Sequence, residues 1–141
     1  YRSKQIQAWA GLNLAEAYCR RGLLEQAKRV ATEWRDTAEE AQAKHLLGRS
    51  HWVLGLVAAK NGQTGVSEGL FESALSALDA AGALADFARA SADAASLYAQ
   101  TEQLSLATTR IERALDVWAR LENPYQARRV RQIAALLGVR I

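Results

Sequence analysis

Three residue types that often shape a fold or a reactive site are scarce in this chain of 141 residues. The single cysteine, Cys19, allows no disulfide within the chain, and such cysteine usage is typical of a reducing compartment. Pro124 is the single proline, so little in the sequence interrupts helix formation. Methionine does not occur, and because translation begins with methionine we expect this chain to be a piece of a longer protein.

Long hydrophobic runs are also missing, and no apolar stretch approaches the roughly 18 residues that a spanning helix needs. Half of the residues are hydrophobic, 23% are charged, and the net charge is +3, which is ordinary for one globular domain. Together with the lone cysteine, this composition predicts a cytoplasmic protein.

The pattern of apolar residues indicates helices throughout. Alanine is abundant, and apolar residues recur three and four positions apart, as in Leu70, Phe71, Ala74, Leu75 and Leu78. No stretch alternates between apolar and polar residues as a strand would. The sequence therefore predicts an all-α chain.

Several helix ends are marked by local signals. Thr37 and Glu40 form a capping-box pattern that predicts a helix start near residue 38, and Asn123 before Pro124 predicts another start. Gly22 and the Asn61-Gly62 pair are suited to ending helices in a left-handed conformation. These signals predict seven helices joined by short turns and therefore antiparallel to their neighbours, at about 2–21, 23–35, 38–60, 64–81, 84–100, 104–121 and 124–138.

Small and large residues repeat along the chain at an interval of 40 residues. Such a period predicts a solenoid of helix pairs, in which small residues let the two helices of a pair cross closely. We assign repeats to about 1–36, 37–82 and 83–122, with a terminal helix at 124–138. The aligned positions are Ala15, Gly55 and Ala95, then Ala27, Ser67 and Ala107, then Ala31, Phe71 and Ile111.

The second repeat resembles the tetratricopeptide family. Its "LG…G…F..AL" layout is formed by Leu54, Gly55, Gly62, Phe71, Ala74 and Leu75. The period of 40 exceeds the family's usual 34 residues or so, Glu102 replaces the glycine of the third repeat, and Trp34 stands where Ala74 and Ala114 stand. The resemblance implies a right-handed solenoid that binds partners in a concave groove.

With its longer period, the repeat is similar to those in the helical repeat region of large bacterial LuxR-type, ATP-dependent transcription regulators. The segment "RLENPYQARRVR", residues 120–131, resembles the last repeat of that region, with Glu122 and Asn123 departing from a glycine-alanine pair. This resemblance implies a regulatory segment that senses an effector or a protein, while another domain of the parent chain binds DNA. The alternative is a protein–protein adaptor or scaffold unrelated to transcription.

No arrangement of residues in the sequence indicates catalysis. His45 and His51 lie about 120° apart around one helix and cannot share a ligand. The segment "GQTGVSEG" has glycines but lacks the lysine of a phosphate-binding loop. We expect a non-enzymatic protein without a metal ion or cofactor.

The resemblance places a candidate groove on the first helix of each repeat. Two tryptophans and four basic residues there would suit an acidic or amphipathic peptide, a protein, or a small aromatic effector. The alternative is that Trp9 and Trp52 only cover neighbouring helices. The candidate residues are Trp9, Glu16, Arg20, Arg49, Trp52, Lys60, Arg89 and Gln100.

Both ends of the chain suggest further contacts. Arg128, Arg129 and Arg131 in the last helix are compatible with direct nucleic-acid binding, although a solvated helix face is the plainer interpretation. Ile6 and Trp9 belong to an apolar pattern on the first helix, and a repeat without a preceding neighbour can expose that face. The exposed face of the first helix leads us to consider a homodimer through that helix. Because long hydrophobic runs are missing, we expect no membrane contact.

One exchange of side-chain size distinguishes the first repeat. The family often has a large residue at the place of Gly11 and an alanine at the place of Trp34, and here the sizes are reversed. Because close-packed interiors tolerate exchanged volumes better than added ones, we expect the Trp34 indole to fill space that Gly11 leaves open.

Overall fold

The computed structural model describes residues 2–141, with side chains from Ser3 onward. Within that range the chain forms seven α-helices and no strand, which confirms the all-α prediction. In the same range, no helix combines the length and apolar character needed to cross a membrane. The helices are α1 (Arg2–Arg20), α2 (Leu24–Glu40), α3 (Lys44–Lys60), α4 (Thr64–Ala80), α5 (Leu84–Gln100), α6 (Leu104–Arg120) and α7 (Pro124–Leu137).

A residue with positive φ follows each of the first six helices, two positions after the last helical residue. Around Gly22, the amide of Leu23 donates a hydrogen bond to the carbonyl of Tyr18 at 2.9 Å, which closes a Schellman-type turn. The positive-φ residues therefore recur every 20 positions, at Gly22, Gln42, Gly62, Gly82, Glu102 and Glu122. One helix and one turn occupy 20 residues, and a helix pair occupies 40.

The predicted C-terminal end of α2 and the predicted start of α3 were wrong. α2 continues to Glu40, and α3 starts at Lys44 rather than at residue 38. Thr37 lies inside α2, where its hydroxyl donates to the Glu33 carbonyl at 3.2 Å, so it does not cap a helix. The proposed junction between repeats at residues 36 and 37 therefore falls within a helix. Gln42 takes the positive φ of the turn in place of a glycine, so the sequence carries no local signal for the end of α2.

The other predicted helix ends agree with the structure. Asn123 caps α7, because its side-chain oxygen accepts a hydrogen bond from the Gln126 amide at 3.1 Å, and Pro124 is the first residue of the helix. Gly22 and Gly62 both take the left-handed conformation, as expected.

The chain divides into two compact units, one ending at Gly82 and the other formed by Ala83–Ile141. In the first unit α1 packs on α2 and α3, α2 packs on α3, and α3 packs on α4. In the second unit α5 packs on α6 and α7, and α6 packs on α7. All nine aligned positions of the 40-residue repeat are buried.

Two glycines of α3 allow α4 to approach closely. A Cβ atom on Gly48 would lie 2.7 Å from Cγ of Leu78, and a Cβ atom on Gly55 would lie 3.3 Å from a ring carbon of Phe71. The carbonyl of Gly55 also accepts a hydrogen bond of 2.8 Å from the buried hydroxyl of Ser67. These contacts agree with the prediction that small residues occupy the crossing of the second helix pair.

The exchange of size between Gly11 and Trp34 is confirmed. A Cβ atom on Gly11 would overlap Nε1 of the Trp34 indole and lie 2.7 Å from its Cδ1. Trp34 packs beside the buried cluster formed by Ala8, Leu12, Ala38 and Leu46. The indole therefore occupies the volume that the missing side chain of residue 11 leaves open.

We predict that the effect of Gly11→Ala on the unfolding free energy depends on the residue at position 34. The substitution should destabilise the parent protein and stabilise the Trp34→Ala variant. In the parent protein the added methyl group meets the indole, and overpacking of this kind costs about 1–3 kcal/mol of unfolding free energy. In a Trp34→Ala background the same change should stabilise the helix by about 0.5–1 kcal/mol. Urea unfolding of the four variants of this double-mutant cycle measures the coupling.

The matched control is Gly69→Ala in α4, because no atom lies within 4 Å of a Cβ added there. That change should stabilise the parent protein. Trp34→Ala alone should lower the unfolding free energy by about 2–4 kcal/mol, since the indole is only partly buried. Independent effects of Gly11→Ala and Trp34→Ala would contradict the packing described here.

A second prediction concerns the turns that lack glycine. Glu102 has a φ of 61°, a conformation that L-residues adopt at a cost. Glu102→Gly should therefore raise the unfolding free energy by about 0.5–1 kcal/mol. Glu112→Gly, at an exposed position inside α6, should lower it by about 1 kcal/mol. Thermal unfolding with both variants tests this, and a destabilised Glu102→Gly protein would contradict it.

Candidate ligand-binding surface on α1 and α3

One face of α1 and one face of α3 together form a polar surface in the first unit. Trp9, Asn13, Glu16 and Arg20 follow each other at intervals of four, three and four residues, so they lie on one side of α1. Side chains from α3 contact this row, as the distances below show. We call this set the α1/α3 surface; it comprises Trp9, Asn13, Glu16, Arg20, His45, Arg49 and Lys60.

Arg49 is the buried centre of the surface, with only 4% of the residue exposed. Its Nη1 donates to Oδ1 of Asn13 at 2.8 Å, and its Nη2 lies 3.5 Å from a carboxylate oxygen of Glu16. A charge removed from water needs such partners, because an uncompensated one would cost several kcal/mol. Arg49 therefore ties α3 to α1.

The Trp9 ring is held in place from two directions. The guanidinium carbon of Arg49 lies over the indole, 5.1 Å from the ring centroid, in a cation–π arrangement. The His45 ring meets it edge-on, with centroids 4.5 Å apart and planes at 81°. Trp9 remains partly exposed, so a fixed aromatic group is presented at the surface.

Cations outnumber carboxylates on this surface. Arg20, with a side chain 52% exposed, places its Nε 3.2 Å from the second carboxylate oxygen of Glu16. Lys60 donates from Nζ to the carbonyl of Cys19 at 2.8 Å, near the C-terminal end of α1, where a cation is favoured by the helix dipole. The surface thus holds three cations, two of them paired with Glu16, and one carboxylate, and the excess positive charge is suited to an acidic ligand.

The structure brings five of the eight predicted groove residues together: Trp9, Glu16, Arg20, Arg49 and Lys60. Trp52 is fully buried, so it belongs to the core and not to an open groove. Arg89 and Gln100 lie on α5, in the second unit. There, Nη1 of Arg89 lies 3.4 Å from a carboxylate oxygen of Asp86.

Two residues of the surface, Asn13 and His45, were missed. Leu12 and Cys19, each one position before a surface residue of α1, are both fully buried. Helical spacing from Trp9 would have found Asn13 four residues later, and the same spacing before Arg49 would have found His45. The candidate residues follow the family layout, which includes neither Asn13 nor His45.

His51 occupies a separate environment on α3. Its Nδ1 is buried and has no hydrogen-bond partner among the residues that the structure describes. Burial lowers the pKa of His51 below its ordinary value of 6.5, the positive charge of Arg35 lowers the pKa further, and Glu39 partly opposes both. The neutral imidazole is therefore the form that the fold favours.

The α1/α3 surface offers an indole, an imidazole, an amide, cations and one carboxylate. Among residues 2–141, no group of three or more His, Cys, Asp or Glu side chains is arranged to hold a metal ion. In comparisons with known proteins, no family model matches the chain and no curated protein matches it. The geometry of the surface is therefore the basis for the function proposed below.

We predict that Glu16→Gln destabilises the protein, because it leaves the buried Arg49 charge without its carboxylate. The expected loss of unfolding free energy is on the order of 2–4 kcal/mol. The matched control, Arg20→Gln, removes an exposed partner of the same carboxylate and should cost less than about 1 kcal/mol. Denaturant unfolding compares the two, and equal losses would show that Arg49 does not depend on Glu16.

The lowered pKa of His51 predicts that acid weakens the fold. As pH falls below about 6.5, the unfolded chain binds a proton at this histidine before the folded chain does, so stability decreases toward the folded-state pKa. His51→Gln should flatten this part of the profile of unfolding free energy between about pH 7.5 and pH 5. An unchanged slope in His51→Gln would contradict the assignment.

Proposed function

We propose that this chain is a non-catalytic binding module that receives an acidic peptide or protein segment on the α1/α3 surface. Its architecture is a tetratricopeptide-like, right-handed solenoid of antiparallel helices. In its parent protein it acts as the sensing segment of a large LuxR-type transcription regulator, inside the cytoplasm. The alternative is a protein–protein adaptor unrelated to transcription.

The core of the first unit supports the antiparallel arrangement. Three buried clusters each combine residues from α1, α2 and α3. From one cluster to the next, residue numbers rise in α1 and α3 and fall in α2, as antiparallel neighbours require. The clusters contain Ala8, Leu12, Ala38 and Leu46, then Ala15, Ala31, Val53 and Leu54, then Cys19, Ala27 and Val57.

The single observation that carries the binding proposal is the fixed Trp9 ring on the same face of α1 as the exposed cation of Arg20. Arg49 and His45 order the indole before any ligand arrives, so little rotamer entropy is lost on binding. Arg20 and Lys60 are both exposed and extend positive charge along the same face. A segment with an apolar or aromatic residue between carboxylates matches both features.

The regulatory part of the proposal rests on the 40-residue period and on the resemblance of residues 120–131 described above. In such a regulator, a bound segment would alter the packing between α1 and α3. The gene of the parent protein separates the two alternatives. An ATPase domain before this segment and a helix-turn-helix after it would support the regulator, and other neighbours would support the adaptor.

Binding is tested with an array of acidic peptides of about 12 residues, with and without an aromatic residue. We expect the parent protein to bind acidic peptides that contain an aromatic residue. Trp9→Ala and the double variant Arg20→Gln/Lys60→Gln should weaken that binding by about tenfold or more. Fluorescence anisotropy then gives the dissociation constants.

The control for charge is Arg128→Gln/Arg129→Gln, which removes two exposed cations from α7 in the second unit. This control should bind like the parent. Thermal unfolding verifies that each variant is folded. Failure of the parent to bind any peptide, or equal weakening in the control, would overturn the proposal.

A further inference from the structure

A groove separate from the α1/α3 surface lies in the first unit, between α2 and α4 and over α3. Its volume is about 390 Å³. Ala58, one of its lining residues, follows Arg49 by nine positions, which is two and a half helical turns. The groove therefore lies on the side of α3 opposite Arg49, away from the α1/α3 surface. We call it the α2/α4 groove.

The two walls of the α2/α4 groove differ in chemistry. α2 contributes Lys28 and Arg35, and α4 contributes Val66 and Leu70. The floor includes Leu54 and Val57 of α3, which are both buried. Val66 is 56% exposed, so this apolar side chain of the groove is in contact with water. An occupant would meet cations on one side and apolar side chains on the other.

The charge of the lining has one sign. Lys28 and Arg35 are the charged lining residues, and those around them are neutral. Arg35 already contacts Asp36, with 3.3 Å between Nη2 and Oδ1. Because the Asp36 side chain is 63% exposed and the Arg35 side chain 33%, water screens this ion pair and it contributes little, so Arg35 is able to exchange that carboxylate for another.

The spacing of the lining residues fits a helical occupant. Lys28 and Arg35 are seven residues, about two turns or 10 Å, apart on α2, and Val66 and Leu70 are one turn apart on α4. A helix lying along the groove repeats its own side chains at the same intervals. Its carboxylates two turns apart would face both cations, while its apolar stripe would enter the groove.

We infer that the α2/α4 groove docks an acidic amphipathic helix of a protein partner. This docking surface is additional to the α1/α3 surface and does not require that proposal to hold. The carboxylates of the partner helix align with Lys28 and Arg35. Its apolar residues cover Val66 and Leu70, which the isolated unit leaves in contact with water.

The probe is a labelled synthetic helix of about 15 residues, with leucines at i, i+4, i+7 and i+11 and glutamates two turns apart on one flank. A second peptide replaces these glutamates by glutamine, and a third has a scrambled order. Fluorescence anisotropy with the full chain should show binding of the glutamate peptide, weakened by salt. The glutamine and scrambled peptides should each bind about tenfold more weakly or worse.

Variants of the protein locate the site. Lys28→Gln/Arg35→Gln and, separately, Val66→Asp should each weaken binding of the glutamate peptide by about tenfold. Arg128→Gln/Arg129→Gln removes the same charge elsewhere and should bind like the parent. In a Trp9→Ala background, which disables the α1/α3 surface, Val66→Asp should still weaken binding by about tenfold. Val66 is exposed, so its replacement should leave the melting temperature nearly unchanged.

Three outcomes would overturn the inference: no binding of the glutamate peptide, equal binding of the scrambled peptide, or equal binding by Lys28→Gln/Arg35→Gln. Loss of binding in Trp9→Ala with no loss in Val66→Asp would also overturn it, because the peptide would then occupy the α1/α3 surface. Failure of the function proposed above would leave the Val66→Asp result unaffected, so the two proposals are tested separately.

Discussion

The left-handed residue that ends each helix is the constraint on which the rest of the structure depends. A helix cannot continue through a positive φ, so turns at 20-residue intervals give α2 to α6 a common length of 17 residues. Glycine supplies this conformation at Gly22, Gly62 and Gly82, but Gln42 and the two glutamates adopt it at a cost of roughly 1 kcal/mol each. Since the turn forms without glycine, packing between the helices must hold it there.

Equal spacing places equivalent residues of α1 and α3 beside each other. Arg49 follows Trp9 by 40 positions, and Lys60 follows Arg20 by the same interval. The cation–π contact therefore joins the same position of two successive repeats. Burial of the Arg49 charge then requires Asn13 and Glu16, which makes the surface part of the fold.

Much of the fold could be predicted from the sequence, because helix periodicity and Asn123 before Pro124 are local signals. The exchange of volume between Gly11 and Trp34 followed from comparison with the family layout. The end of α2 could not, since Gln42 carries no turn signal and Thr37 imitates a cap. The candidate surface was found only in part. Trp52 has the character of a groove residue, and its burial depends on contacts between helices that spacing alone does not reveal. Asn13 could not be recognised from the sequence, because its role is to accept a hydrogen bond from Arg49 and the burial of Arg49 is known only from the structure.

The most direct test of this account is an NMR measurement of the Arg49 side chain, because the α1/α3 surface exists only if its guanidinium lies over Trp9. Protons near an aromatic face shift upfield through the ring current. We expect the side-chain protons of Arg49 to be shifted upfield in the parent protein and to return to ordinary values in Trp9→Ala, with Lys60 unchanged. Ordinary Arg49 shifts in a folded parent protein would contradict the register of α1 against α3.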